Sequence, residues 1–256
     1  MTERDANPCL SLVFAPGQRP DRAAIVALAG AQVAAGNLAI GDVAFSISHD
    51  AADEGWLELL TNGLTFDCRG IAPAPPEPLP AAGTPIGMTA NPGGETLVLT
   101  PGPHLRHSAG LLPILRVLVG LGARLAELPG VLAVVWSPAG SWVEPATFVR
   151  TIRAWLGGGV FPALVLTGLE RQANGAMVTR GLDLLAGQEL RFEPDRRLSP
   201  AAMARIAVRL VHQVVLAGPI EIEMDLVGPA GEALLAVPVR KGSEVRVLVR
   251  TTGSGG

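Results

Sequence analysis

With 256 residues, the chain is long enough for one large domain or two small ones with a substantial core. Hydrophobic residues make up 48% of it but aromatics only 4%, with no tyrosine, so that core must be aliphatic. The net charge of -3 comes without a basic or acidic block, which argues against a nucleic-acid footprint, where Lys and Arg cluster.

All but one of the basic residues are Arg, the exception being Lys241, and Gly and Pro number 31 and 22, a bias that points to a GC-rich bacterial genome. Cys9 and Cys68 form no CxxC pair, so neither a disulfide framework nor a zinc knuckle is expected, and no cofactor or metal motif is present. The start, Met1-Thr2-Glu3-Arg4-Asp5, lacks the apolar core of a secretory signal. The longest apolar stretch, 110–136, is interrupted by Arg116, Arg124 and Glu127, which disfavours a membrane span. The expectation is a cytoplasmic protein with free thiols, away from nucleic acid and membrane, and of undetermined oligomeric state.

Cys9 to Phe14 reads as a short buried strand between Pro8 and Pro16. Asp21 to Ala34 reads as a helix, ended by Gly36-Asn37, and 38–47 as a second strand. Asn62-Gly63 supplies the positive φ angles of a tight turn, so Trp56 to Leu60 and Leu64 to Cys68 are expected to form a hairpin. Five prolines between Ile71 and Pro80 exclude both ladder and helix, and the chain is expected to stay loop-like up to Gly94.

Glu95 to Thr100 then repeats the opening theme. Leu97-Val98-Leu99-Thr100-Pro101-Gly102 mirrors Leu12-Val13-Phe14-Ala15-Pro16-Gly17, and each leads into a helix. A helix is expected within Ser108 to Leu128 with Pro113 in its first turn, then a buried strand at Val131 to Trp136. A helix at Pro145 to Leu156 is ended by three glycines, and Val160 to Leu166 reads as another buried strand. Between Met177 and Phe192 a helical turn and then a strand at Glu189 to Phe192 are expected. Ser199-Pro200 opens a helix with Met203, Ile206, Leu210, Val211, Val214 and Val215 inward and Arg205, Arg209 and Gln213 outward. The alternation from Ile220 to Leu226 predicts a strand, completed into an antiparallel meander by Ala233 to Val239 and Glu244 to Arg250. The fold class is therefore α+β, with mainly antiparallel sheets, helices packed on them, and two pseudo-equivalent β–α layers. The expected organisation is a subdomain at 8–69, a Pro-rich connector at 70–93, a second subdomain at 94–250 and a flexible tail at 251–256.

Chemistry is sparsely marked. Arg19 and Arg22 start the first helix, and His104, Arg106 and His107 start the second; cations there oppose the helix dipole, which an anion bound to the free N–H groups would resolve. His104 and His107 lack a third ligand for a metal, and no phosphate loop, GxSxG elbow or HExxH pattern exists. Glu170 and Glu189, with Arg171 and Arg180, read as solvated or ion-paired loop residues rather than an acid–base pair. Trp142, in a loop after the strand ending at Trp136, is expected to pack under that loop, and if exposed it is the candidate anchor for a protein partner.

From Gly130 to Phe192 the order of features resembles an uncharacterised bacterial family, the domain of unknown function numbered 4261. The marks are Val134-Val135-Trp136, the helix start Pro145-Ala146-Thr147-Phe148, Thr179-Arg180-Gly181-Leu182 and Gly187-Gln188-Glu189-Leu190. Leu184-Leu185-Ala186 departs from the small and aromatic pattern usual there. The resemblance implies a bacterial cytoplasmic protein and brings no catalytic residues with it. With no nucleophile, metal or cofactor signature, the preferred expectation is a non-enzymatic interaction module that binds another protein through sheet edges or loops. The alternative is an enzyme or small-ligand binder with an anion site at the paired helix starts.

Overall fold

The computed structural model describes residues 8–35 and 41–250, in two compact units, Met1–Val165 and Leu166–Gly256. The expected helix end at Gly36-Asn37 and the tail at 251–256 lie outside the described residues.

In the first unit β1 (Leu10–Phe14) leads into α1 (Arg22–Ala35). There follow β2 (Ser46–Ala51), β3 (Trp56–Thr61), β4 (Leu64–Arg69), β5 (Thr84–Ile86) and β6 (Glu95–Pro101). After α2 (Leu112–Leu125) come β7 (Val131–Trp136), β8 (Ser141–Val143), α3 (Pro145–Leu156) and the single turn α4 (Ala163–Leu166). The eight strands form one sheet in the order β2-β3-β4-β6-β1-β7-β8-β5, antiparallel except for β5 beside β8.

β1 is buried along its whole length, with Ser11 its one polar residue, and pairs with β6 on one side and β7 on the other. Residues from both sides of the Pro-rich stretch therefore share one sheet, which replaces the expected boundary at 70–93 with one at 165/166. α2 packs over β1 and β6. Gly122 permits this approach: a Cβ there would lie 2.6 Å from Leu10 Cδ1. On β1's other face Val13 packs with Ala133, Val135 and Trp142.

The hairpin of β3 and β4 forms as expected, with Asn62 and Gly63 both at positive φ. Three expectations fail locally. The second strand begins at Ser46, later than expected. Thr84–Ile86, expected as loop, adds a three-residue edge strand that tolerates Pro85 because an edge leaves a donor unused. Val160 to Leu166 is not a strand: Pro162 cannot donate to a ladder, the chain turns helically at Ala163, and Val160 is 74% exposed.

The second unit contains β9 (Gly168–Arg171), β10 (Met177–Arg180), the turn α5 (Asp183–Ala186), β11 (Glu189–Phe192), α6 (Pro200–Ala217), β12 (Met224–Val227), β13 (Ala233–Val239) and β14 (Glu244–Val249). Their sheet runs β12-β13-β14-β11-β10-β9 and is antiparallel except where β11 meets β14. α6 is capped by Ser199, whose hydroxyl accepts from the Ala202 N–H at 3.1 Å. It buries Met203, Ile206, Leu210, Val211 and Val214, packs against β10 and β11, and is long and apolar enough to cross a membrane by length and composition alone. The C-terminal meander is present, although its first strand starts at Met224 and Ile222 is 74% exposed. Mixed, mainly antiparallel sheets with helices packed on them make the fold α+β.

Candidate functional site

The two β–turn–α units do occur, but β1 and β6 are antiparallel neighbours, with Leu10 opposite Leu99 and Phe14 opposite Glu95. Their turns consequently leave opposite ends of the sheet. At about 3.4 Å per residue, the length of β6 separates them by roughly 20 Å. Arg19 and Arg22 on one side, and His104, Arg106 and His107 on the other, are not brought together, and the shared anion site is not assembled.

Each group has its own local partners instead. Arg19 Nε donates to Glu95 Oε2 at 2.9 Å and Nη1 to the Gly70 carbonyl at 2.5 Å. The Arg19 hydrogen bond holds the Glu95 carboxyl below its ordinary pKa. Arg22 ion-pairs with Asp50 on β2 and lowers that carboxyl likewise. Asp21 Oδ1 accepts from the Ala24 N–H at 2.8 Å and so caps the start of α1. At the start of α1, carboxylates of the chain thus supply the compensation for the helix dipole that a bound anion would provide. His104 lies in the 3-10 turn Pro103–Ser108, its Nδ1 3.4 Å from Thr65 Oγ1, and Arg106 and His107 are exposed there.

Trp142 is not a surface anchor. It is 1% exposed, and its indole N–H donates to the Ala81 carbonyl at 3.0 Å. Glu170 forms an ion pair with Arg180 at 3.1 Å. Glu189 stands apart from that pair: it accepts from the Thr179 hydroxyl at 2.5 Å and from the Asp183 N–H at 3.3 Å. Burial raises its carboxyl pKa to about 7. Burial also pushes the Cys68 thiol up to about 12 and raises Cys9, which removes thiolate character from both. Among the described residues no three of His, Cys, Asp or Glu converge as a metal site.

The feature best suited to binding is a groove of about 530 Å³ between α1 and β2. α1 contributes Arg22, Val26, Ala29 and Gly30, whose spacing puts them on one helical face. The opposite wall is the unbroken run Phe45 to Asp50. Six consecutive residues line a groove only where it follows the backbone edge of a strand, since alternate side chains leave opposite faces. β2 ends the sheet order, so among the described residues its outer edge has no strand partner. A register shift between Ile47 and His49 sets Ser48 out of the ladder, and its hydroxyl donates to Glu58 Oε2 at 2.7 Å. Beside the groove His49 leans on Trp56 with ring centroids 4.8 Å apart.

No family model, no curated protein and no solved structure matches the chain. The groove's own chemistry is therefore the guide. Val26 is 41% exposed in the wall, and a Cβ built on Gly30 would meet nothing within 4 Å. A glycine inside a helix costs stability, and this one fills no packing need. Of the residues singled out in the sequence only Arg22 lines the groove. The rest was missed because β2 was expected earlier in the chain. The readable signal was α1 itself, apolar apart from Arg22 and Gln32 yet interrupted by Gly30.

Proposed function

We propose that the protein is a non-enzymatic interaction module that receives an extended segment of another protein in the groove between α1 and β2. The observation that carries this reading is the edge of β2, without a strand partner among the described residues, facing an exposed apolar helix face across a groove. An added strand takes its main-chain hydrogen bonds from β2, while pockets for alternate side chains give selectivity. Val26 and Ala29 offer apolar contact, Gly30 leaves room for a backbone or large side chain, and the Arg22–Asp50 pair bounds one end.

The test is selection of peptides from a random display library against the purified protein, followed by titration of the selected peptides against Gly30→Leu. Leucine at this position points into open space and favours the helix, so the fold is retained while the groove is filled. Selected peptides are expected to be apolar and extended, and to bind Gly30→Leu at least about tenfold more weakly, which corresponds to a loss of about 1.4 kcal/mol. Unchanged affinity in a folded Gly30→Leu protein rules the groove out.

A further inference from the structure

The second unit has an open edge of a different character. β12 ends its sheet and, among the described residues, pairs only with β13. Of the eleven large hydrophobic side chains exposed among the described residues, four fall in the short stretch from the end of α6 through β12: Leu216, Ile222, Met224 and Val227. Apolar groups concentrated beside an unpaired edge mark a docking surface or an aggregation hazard.

The charges decide what can dock. Asp225 lies on β12, and Glu223 and Glu221 precede it at alternate positions. Asp225 is matched by Arg250 at 3.1 Å, whereas Glu221 and Glu223 have no ion-pair partner among the described residues. A second copy laid antiparallel along this edge would set carboxylates against carboxylates, which destabilises cross-strand pairs. A basic strand meets the opposite situation.

We infer that the β12 edge docks a basic extended segment of a partner protein, one in which Arg or Lys alternates with aliphatic residues. The aliphatic side chains lie over Met224, and the basic ones reach past the end of β12 to Glu223 and Glu221, Asp225 being matched already by Arg250. The main chain continues the sheet outward from β12. This surface is independent of the α1–β2 groove and stands or falls separately.

The test uses the full chain and a fluorescent hexapeptide alternating Arg and Val, read by polarisation at low salt. Binding is expected, weakening as salt is raised, and weakening about tenfold or more in the Glu221→Arg/Glu223→Arg variant. The same peptide N-methylated at alternate residues loses the donors a strand needs and is expected not to bind. Gly30→Leu is expected to leave this binding unchanged, which separates it from the groove. Equal affinity for the charge-reversed variant, equal affinity of the N-methylated peptide, or no binding of the Arg–Val peptide overturns the proposal. So does dimerisation of the chain that is abolished by Met224→Pro, since the edge then takes a second copy.

Discussion

Arg19 closes the first turn onto the start of β6: its Nε lies 2.9 Å from Glu95 Oε2, and Glu95 is itself the register partner of Phe14. The same guanidinium reaches the Gly70 carbonyl, so one side chain joins the β1 turn, the end of β4 and β6. Arg19→Ala is expected to lower the Tm in thermal unfolding, because it removes both bonds at once. Glu95 is depressed in the folded state, so its contribution is present above its ordinary pKa and fades as pH falls below it. The Tm difference between wild type and Arg19→Ala should therefore shrink in acid. A constant difference down to strongly acidic pH would show that the pair does not matter.

Glu189 behaves in the opposite sense. Its pKa is raised from 4.5 to about 7 by burial, opposed by the Thr179 hydrogen bond and reinforced by neighbouring Asp183. The folded state then holds more protons than the unfolded one between these values, and stability falls as pH rises through that window. The loss levels off above about pH 7. Denaturant titrations of the wild type and Glu189→Gln across pH 4 to 8 should differ in slope, with the amide variant flatter. Parallel curves would place the titration elsewhere.

Gly30→Ala should stabilise the protein by about 0.5–1 kcal/mol, since the new methyl enters open space and alanine favours the helix. Urea unfolding reads this directly. A loss of stability would mean that the groove wall is more crowded than its geometry shows.

Gly122→Ala should do the reverse. Its Cβ would fall 2.6 Å from Leu10 Cδ1, in the layer between α2 and β1, and overpacking of this kind costs about 1–3 kcal/mol. Pairing it with Leu10→Val should recover part of the loss; a strictly additive double variant would mean the two residues do not press on each other.

Cys68 is fully buried with its thiol pushed up to about 12, so it should resist alkylation at pH 8 until the protein is unfolded. Mass spectrometry of native and denaturant-treated samples checks this, and rapid labelling of native Cys68 would contradict its burial.

What could be read from the sequence follows how local each signal is. Asn62-Gly63, Pro145, and Ser199-Pro200 act through their own backbone preferences, and the hairpin, α3 and α6 form where those residues direct. The run from Val160 to Leu166 carried no such punctuation except Pro162, and apolar content alone does not distinguish strand from helix. The repeat of strand, Pro-Gly and helix was visible, but its meaning depended on pairing. Only the antiparallel register of Leu10 with Leu99 shows that the two basic clusters point apart. Trp142 failed as an anchor for a similar reason: Val13, which it packs against, and Ala81, which accepts its indole N–H, are distant in sequence. The α1–β2 groove is a product of sheet order, which no local pattern encodes.

The central place of β1 also bears on how the chain emerges during synthesis. Its first strand is N-terminal, yet neither flanking strand exists until Glu95–Pro101 and Val131–Trp136 have been made. A nascent chain ending near residue 90 holds this mostly apolar strand without either of its flanking strands, an exposed state that invites chaperone capture. Closing the sheet around β1 requires joining segments far apart in the chain, which makes this a slow-folding topology. The second unit shares this dependence on a smaller scale, since β11 waits for β14, made more than fifty residues later, to fill its second side.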